Sequence, residues 1–419
     1  MNEITRRDLL RRTAGVAALA ATGLGTAACG GNSGRPSGGG DKVGLAQWYH
    51  QYGEAGTKEA ALRYAKEYPD AAVTVQWTPG DYAAKLSSGL LSNKAPDVFE
   101  SQLNIAMVKA NQVAPLDDIL ADVKDDYNEI DISTNTVDGK VYGIRMIDDP
   151  QLIYYRKSML DAKGIKPPET VDDLVAAAKE LTTDKVTGIF MGNAAPGTGG
   201  PALWSSGGQL LTPDNKPGFT GPRALEAYAK LRQFFVDKSV LLGAPTDWTD
   251  PGAFTQGLVA MQWCGLWAMP AIQKAFGDDF GVMPYPKLGA EGKPAVYSGG
   301  WTQFVSAKSA NVDAAKKFVK WLWIDKADLQ EDWCLNYGFH IPPRKSLAAK
   351  ASKLQSGPAA DAVKLNADHG VSDNPAWIPK MNTAFGDMMV AITRKGTDPA
   401  AAAGAAEKTV NAELTRLFK

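Results

Sequence analysis

Residues 43–99 read VGLAQWYHQYGEAGTKEAALRYAKEYPDAAVTVQWTPGDYAAKLSSGLLSNKAPDVF, and the alternation within this stretch decides the fold class. The apolar run 43–48 passes into polar Tyr49, His50, Gln51 and Tyr52 and then Gly53, the pattern of a strand ending in a loop. Positions 57–67 have the apolar spacing of an amphipathic helix, and Val73, Thr74 and Val75 place β-branched residues in a second strand over 72–77. A helix over 81–91 follows, and then a strand over 96–99 that opens at the break made by Pro96. Strands separated by helices imply parallel β-α-β units, hence an α/β protein.

Working outward, 140–147 and 151–155 read as extended segments, and Thr170 reads as the N-cap of a helix over 171–181 with Asp172 and Asp173 in its first turn. A helix over 222–237 begins at Pro222 and carries the stripe Leu225, Tyr228, Leu231, Phe234 and Phe235. The helix over 314–324 turns Phe318, Trp321 and Leu322 to the core, and Asp398 caps an Ala-rich closing helix over 399–418. A chain of 419 residues exceeds what one core ordinarily supports, which predicts two packed lobes.

The N-terminus has the order of an export signal. Arg6, Arg7, Arg11 and Arg12 precede a short stretch of small residues that ends at Thr26-Ala27-Ala28-Cys29. Arg6-Arg7 before Leu9-Leu10 is similar to a twin-arginine signal, and the last four residues resemble a lipobox with Thr26 in the usual Leu, Val or Ile place. This predicts removal of residues 1–28, diacylation of Cys29 and a flexible tether over 29–41 rich in Gly and Ser, holding a folded domain outside the cytoplasmic membrane. The run 258–272 is broken by Gln262 and Pro270 and reads as core, not as a membrane span. Cys264 and Cys334 read as inert buried thiols, with a disulfide the alternative that export permits.

The formal charge of −1 becomes −3 without the leader, and no dense basic run lies beyond it, which argues against nucleic acid as a partner. The three histidines, His50, His340 and His369, show no metal-ligand spacing, so neither a metal nor another cofactor is implied. No Gly-x-Ser-x-Gly elbow occurs, and the Gly-x-Gly-x-x-Ala string lies inside the leader. Pairs such as Asp148-Asp149 do not by themselves make facing carboxylates. Tryptophan carries more information. Core is its ordinary use, but Trp204, Trp267, Trp301 and Trp377 stand beside Gly or Pro, where loops are expected. Flat aromatics suit the apolar face of a sugar ring, with polar groups reading its hydroxyl rim.

A series of strings then falls in a specific order. It runs through Lys-Leu-Ser-Ser-Gly and Ala-Pro-Asp-Val-Phe within 85–99, Asp138-Gly139-Lys140-Val141-Tyr142-Gly143, Tyr154-Tyr155, Phe254-x-x-Gly257-x-x-Ala260-Met261, Gly265-x-Trp267, Met283-Pro284, Gly299-Gly300, Ile341-Pro342-x-Arg344 and Ile378-Pro379-x-Met381. In these strings the chain resembles family 1 extracellular solute-binding proteins, relatives of the maltodextrin-binding proteins of ABC importers. It departs from them in Arg156, where Asn is usual.

The resemblance implies a two-lobe, hinge-linked α/β fold of the periplasmic-binding-protein type II class, with the ligand in the interlobe cleft. It also implies a monomer without catalytic activity that hands a carbohydrate to a membrane permease by hinge closure. Its lobes would be 42–147 with 303–348, and 148–302 with 349–419. By motif position Asp149 would accept sugar hydroxyls and Trp267 would stack on the ring. Around them the reading places Trp48, His50, Gln51, Glu100, Gln102, Trp204, Gly300, Trp301, Arg344 and Trp377. The rival readings are a binder of another solute, such as a polyol or polyamine, and a surface glycoside hydrolase.

Overall fold

The computed structural model describes residues 42–92, 94–193 and 199–419. The leader, Cys29 and the tether over 29–41 lie outside the described residues. Strand β1 (Val43–His50), helix α1 (Thr57–Glu67), β2 (Ala71–Thr78), α2 (Tyr82–Leu90) and β3 (Val98–Ser101) form the expected alternation, with β1 parallel to both β2 and β3. Asp81 caps α2, its carboxylate accepting from Ala84 N at 2.9 Å, worth about 1 kcal/mol. The short helix α3 (Ile105–Lys109) follows β3.

The extended segments expected over 140–147 and 151–155 are largely one strand, β4 (Gly143–Tyr155). Asp148-Asp149-Pro150 reads as a turn locally. Its neighbours on both sides hold it extended, with Pro150 opposite Ser298, where one missing donor is tolerated. Beyond it lie α4 (Val171–Leu181), β5 (Thr187–Phe190), α5 (Gly199–Ser205), α6 (Pro222–Val236), β6 (Val259–Gly265), β7 (Gly281–Met283) and β8 (Val296–Val305). Thr170 and Asp173 close a reciprocal capping box on α4. Then come α7 (Val312–Lys320), α8 (Gly357–His369), β9 (Gly370–Val371), α9 (Pro379–Thr393) and α10 (Pro399–Phe418). The helix expected over 314–324 ends at Lys320 and continues as a wider turn, Trp321–Asp325.

Nine of the described strands make one sheet in the order β2-β1-β3-β8-β4-β6-β5, with β9 on β8 and β7 on β4, and 136–137 pair with 140–141 in a separate two-stranded sheet. Each half of the molecule has its own parallel strands, and antiparallel β4 and β8 belong to both. The C-terminal end of β8 pairs with β3 on one side and with the N-terminal end of β4 on the other, whereas residues 151–155 of β4 pair with β6. The two cores follow the faces of this sheet. One gathers Trp48, Leu86, Ile153, Trp263, Phe234 and Phe385; the other gathers Tyr49, Tyr64, Leu152, Tyr154, Phe318 and Trp333. Neighbours along β1 and β4 thus point to opposite cores, as a strand buried on both faces requires. Cys264 and Cys334 are free and buried in the second core.

The register of β4 against β8 shifts between Trp301 and Thr302, a bulge where the two halves join. Gly300 there has φ +139°, and a Cβ on it would stand 2.1 Å from the Ile147 carbonyl oxygen. Only glycine permits this approach. Gly300→Ala is therefore expected to lower stability in urea unfolding by at least about 1–3 kcal/mol, while Gly53→Ala, at a site with nothing within 4 Å of the new methyl, stays within about 0.5 kcal/mol.

Candidate ligand-binding site

The strands of the first half point their carboxyl ends at a cleft, the usual ligand position in open α/β sheets. At the end of β1 stands His50, stacked on Trp301 with ring centroids 4.1 Å apart. Fully buried Glu100 at the end of β3 holds it from below. Its Oε1 accepts from His50 N at 2.6 Å and meets His50 Nδ1 at 2.5 Å, and its Oε2 accepts from Tyr52 OH at 2.7 Å. Burial, then the Glu100 charge, push the Tyr52 phenol well up, so it serves as a donor. A carboxylate accepting the Nδ1 proton fixes the histidine tautomer and leaves Nε2 as the ring's remaining hydrogen-bonding atom.

The largest cavity here, of about 850 Å³, is lined from the first half by His50, Tyr82, Gln102 and Asn104, and from the second by Tyr297, Asp373, Trp377 and Asn382. Two neighbours, of about 720 and 300 Å³, share Trp204, Leu210 and Asp373. Trp204 lies flat on Tyr297, with centroids 5.4 Å apart and planes within 7°. Opposite walls also touch directly: Ile105 N on α3 donates to Pro375 O at 2.8 Å, and Lys109 Nζ donates to Leu417 O at the end of α10.

Of the residues singled out from sequence, His50, Gln102, Gly300, Trp301 and Trp377 line the largest cavity, and Trp204 lines the two smaller ones. Gln102 Nε2 donates to Gly300 O at 3.2 Å, tying β3 to the crossing. Trp48 is a core residue packed against Gly89 of α2, and Gln51 is exposed at the strand end. Trp267 covers Gly265, donates from Nε1 to Thr249 O at 2.8 Å and sits 6.1 Å from Trp248, which lines the smallest cavity. Arg344 lines none of these cavities: its guanidinium donates to Asp126 at 2.9 Å and to Ile324 O at 3.1 Å. Sequence reasoning passed over Tyr82, Asn104, Trp248, Tyr297, Asp373 and Asn382. Trp248, in Thr246-Asp247-Trp248-Thr249-Asp250-Pro251, carries the same loop signal as its four neighbours in kind; the others carry none.

Asp149 is buried at the crossing and engaged. Its Oδ1 lies 2.5 Å from His340 Nδ1, and Glu54 Oε1 lies 3.3 Å from His340 Nε2. Burial works to lower the His340 pKa, but Asp149 and then Glu54 outweigh it and hold the imidazolium up at about 10. One residue earlier, Asp148 accepts from Arg145 Nε at 2.7 Å, with Asp131 at 3.7 Å from the same nitrogen. Burial and their mutual repulsion raise Asp131, and burial also raises Asp148.

Residues 47–323 match the model of the bacterial extracellular solute-binding protein family, well over half of the chain. The chain belongs to that family, and it is a binding protein, not an enzyme. It is 28% identical over 309 residues to the lactose-binding protein of Rhizobium radiobacter, covering 68% of this chain and 71% of that one. The fold matches a Thermotoga lettingae ABC-transporter solute-binding protein solved with α-D-tagatose, at TM-score 0.76 and 21% identity over 89% of this chain and 100% of that one. It equally matches a Mycobacterium tuberculosis protein solved with glycerophosphocholine, at TM-score 0.77 and 19% identity over 91% and 100%. The two-lobe type II architecture is therefore shared.

The raised His340 pKa has a definite sign. Its stabilisation is complete below the unfolded value near 6.5 and is lost as pH rises through about 10. His340→Gln is expected to cost roughly 3–5 kcal/mol at pH 6. In urea titrations the gap from wild type should close toward pH 10; a gap that does not change with pH would refute the buried imidazolium.

Proposed function

We propose that this protein binds a carbohydrate in the cleft, closes on it about the β4/β8 crossing, and presents it to the membrane subunits of an ABC importer. The observation that carries this is the cleft itself. Aromatic faces from both halves, His50 and Tyr82 on one side and Trp301, Tyr297, Trp204 and Trp377 on the other, with Trp301 stacked on His50, stand among the amides of Gln102, Asn104 and Asn382. Such a surface matches a ring with apolar faces and a polar rim. The lactose and tagatose binding of relatives in sequence and fold supports the same class. Contacts from both walls make closure the ligand-favoured state.

We read the lobes as 42–147 with 303–348 and 148–302 with 349–419; the bulge at Trp301 and the join of β4 with β6 from Gln151, close to these boundaries, support that division. We also read residues 1–28 as an export leader and Cys29 as a lipidated anchor facing the extracytoplasmic side, with a monomer as the working form. None of the described helices is long and apolar enough to cross a membrane.

The test is a thermal-shift screen against neutral mono-, di- and trisaccharides, polyols, amino acids and polyamines, because a ligand that binds only the folded state raises Tm. A sugar is expected to shift it, and Trp301→Ala to weaken binding of that sugar by roughly tenfold, the size of one stacking contact. A shift with amines alone would overturn the carbohydrate reading.

A further inference from the structure

The three cavities have one acidic residue in common. Asp373, in the loop between β9 and α9, lines all of them. Its Oδ2 accepts a long hydrogen bond from Tyr297 OH at 3.4 Å, while its Oδ1 is closed off from solvent and has no hydrogen-bond partner. A buried carboxylate oxygen without a partner is costly and unusual in a folded protein. Burial pushes this carboxyl up to about 6, against the hydrogen bond from Tyr297 that lowers it.

The other cavity acids are already engaged. Asp81 caps α2, Asp247 accepts from Asn193 N and Trp248 N at 2.8 Å, and Asp368 is paired with Lys364. The cations offer little to an anion. Arg145 is spent on Asp148 and on the carbonyl oxygens of Ser298 and Gly299, and the exposed Lys293 lines only the second cavity.

We infer that Asp373 is a specificity-determining residue of this cleft, accepting a hydroxyl from a neutral saccharide where the three cavities meet and turning away acidic sugars. The inference rests on the carbohydrate reading and sharpens it. Fold similarity does not choose among ligand classes, since relatives with a sugar or with glycerophosphocholine match equally well. Charge separates neutral sugars from anionic ones. An anion would meet an uncompensated carboxylate in a low-dielectric site, whereas a hydroxyl supplies the donor that Oδ1 lacks.

The test uses calorimetry on the intact chain at pH 7.5 with lactose, maltotriose, diacetylchitobiose and the anions glucuronate and galacturonate, for wild type, Asp373→Ala and Asp373→Asn. Wild type is expected to bind at least one neutral sugar and neither anion, and Asp373→Ala to lose about tenfold or more, the worth of one charge-assisted hydrogen bond. Ionising a group whose folded pKa is raised costs stability above that pKa. Ligand-free Asp373→Asn should therefore melt at or above the wild-type temperature.

Sugar binding by Asp373→Ala within threefold of wild type would overturn the role of Asp373 and leave the carbohydrate reading standing. An Asp373→Asn protein that melts below wild type without ligand would do the same, because it would reveal a structural partner for the carboxylate. Tighter binding of either anion than of any sugar would overturn the exclusion of anions. Binding of none of the sugars by wild type would overturn the carbohydrate reading and this assignment together.

Discussion

The antiparallel pairing of β4 with β8 is the constraint on which the rest of the structure depends. Both strands belong to both halves, so every parallel strand and both cores are registered against them. The crossing also concentrates the buried charge. Arg145 clips Asp148 and the β8 carbonyls together, and His340 sits between Asp149 of β4 and Glu54 after β1. Ion pairs so deeply buried add little net stability over apolar packing, but breaking one is severe, so they enforce a particular geometry. A bulge and a glycine at φ +139° complete the crossing.

Cleft and crossing treat charge in opposite ways. Glu100 gathers three donors and is spent on aiming His50. Asp149 is spent on His340. Asp373 keeps an oxygen unbonded at the centre of the cavities. The crossing also leaves Asp131 Oδ2 without a hydrogen-bond partner, but there it is enclosed by protein, whereas an oxygen left over on a cavity wall has something to offer a ligand.

Much of this was legible in the residues before any packing was known. The alternation over 43–99 predicted the first lobe's β-α-β order because apolar period and turn residues act over short range, and α1 and α10 fall where their patterns and caps put them. Neighbouring glycines and prolines brought forward Trp204, Trp301 and Trp377, all on cavity walls, but of the loops expected there only that of Trp377 is found: Trp204 lies in α5 and Trp301 in β8. Motif position reads Asp149 as an acceptor of sugar hydroxyls; that its Oδ1 lies instead against His340, 191 residues away, was not legible.

The sequence by itself determined the strands and helices over 43–99, the helices over 171–181, 222–237 and 399–418, that the chain is α/β with two lobes, and the family to which it belongs, because periodicity, capping and ordered motifs are local properties. Only the tertiary structure decided that 143–155 is a single strand shared by both halves, and that Trp48 and Arg344 are structural while Tyr297 and Asp373 face the cavities. Those outcomes depend on which polar atoms find partners across long sequence separations. Partnership of that kind is a matter of three-dimensional packing and leaves no periodic trace along the chain.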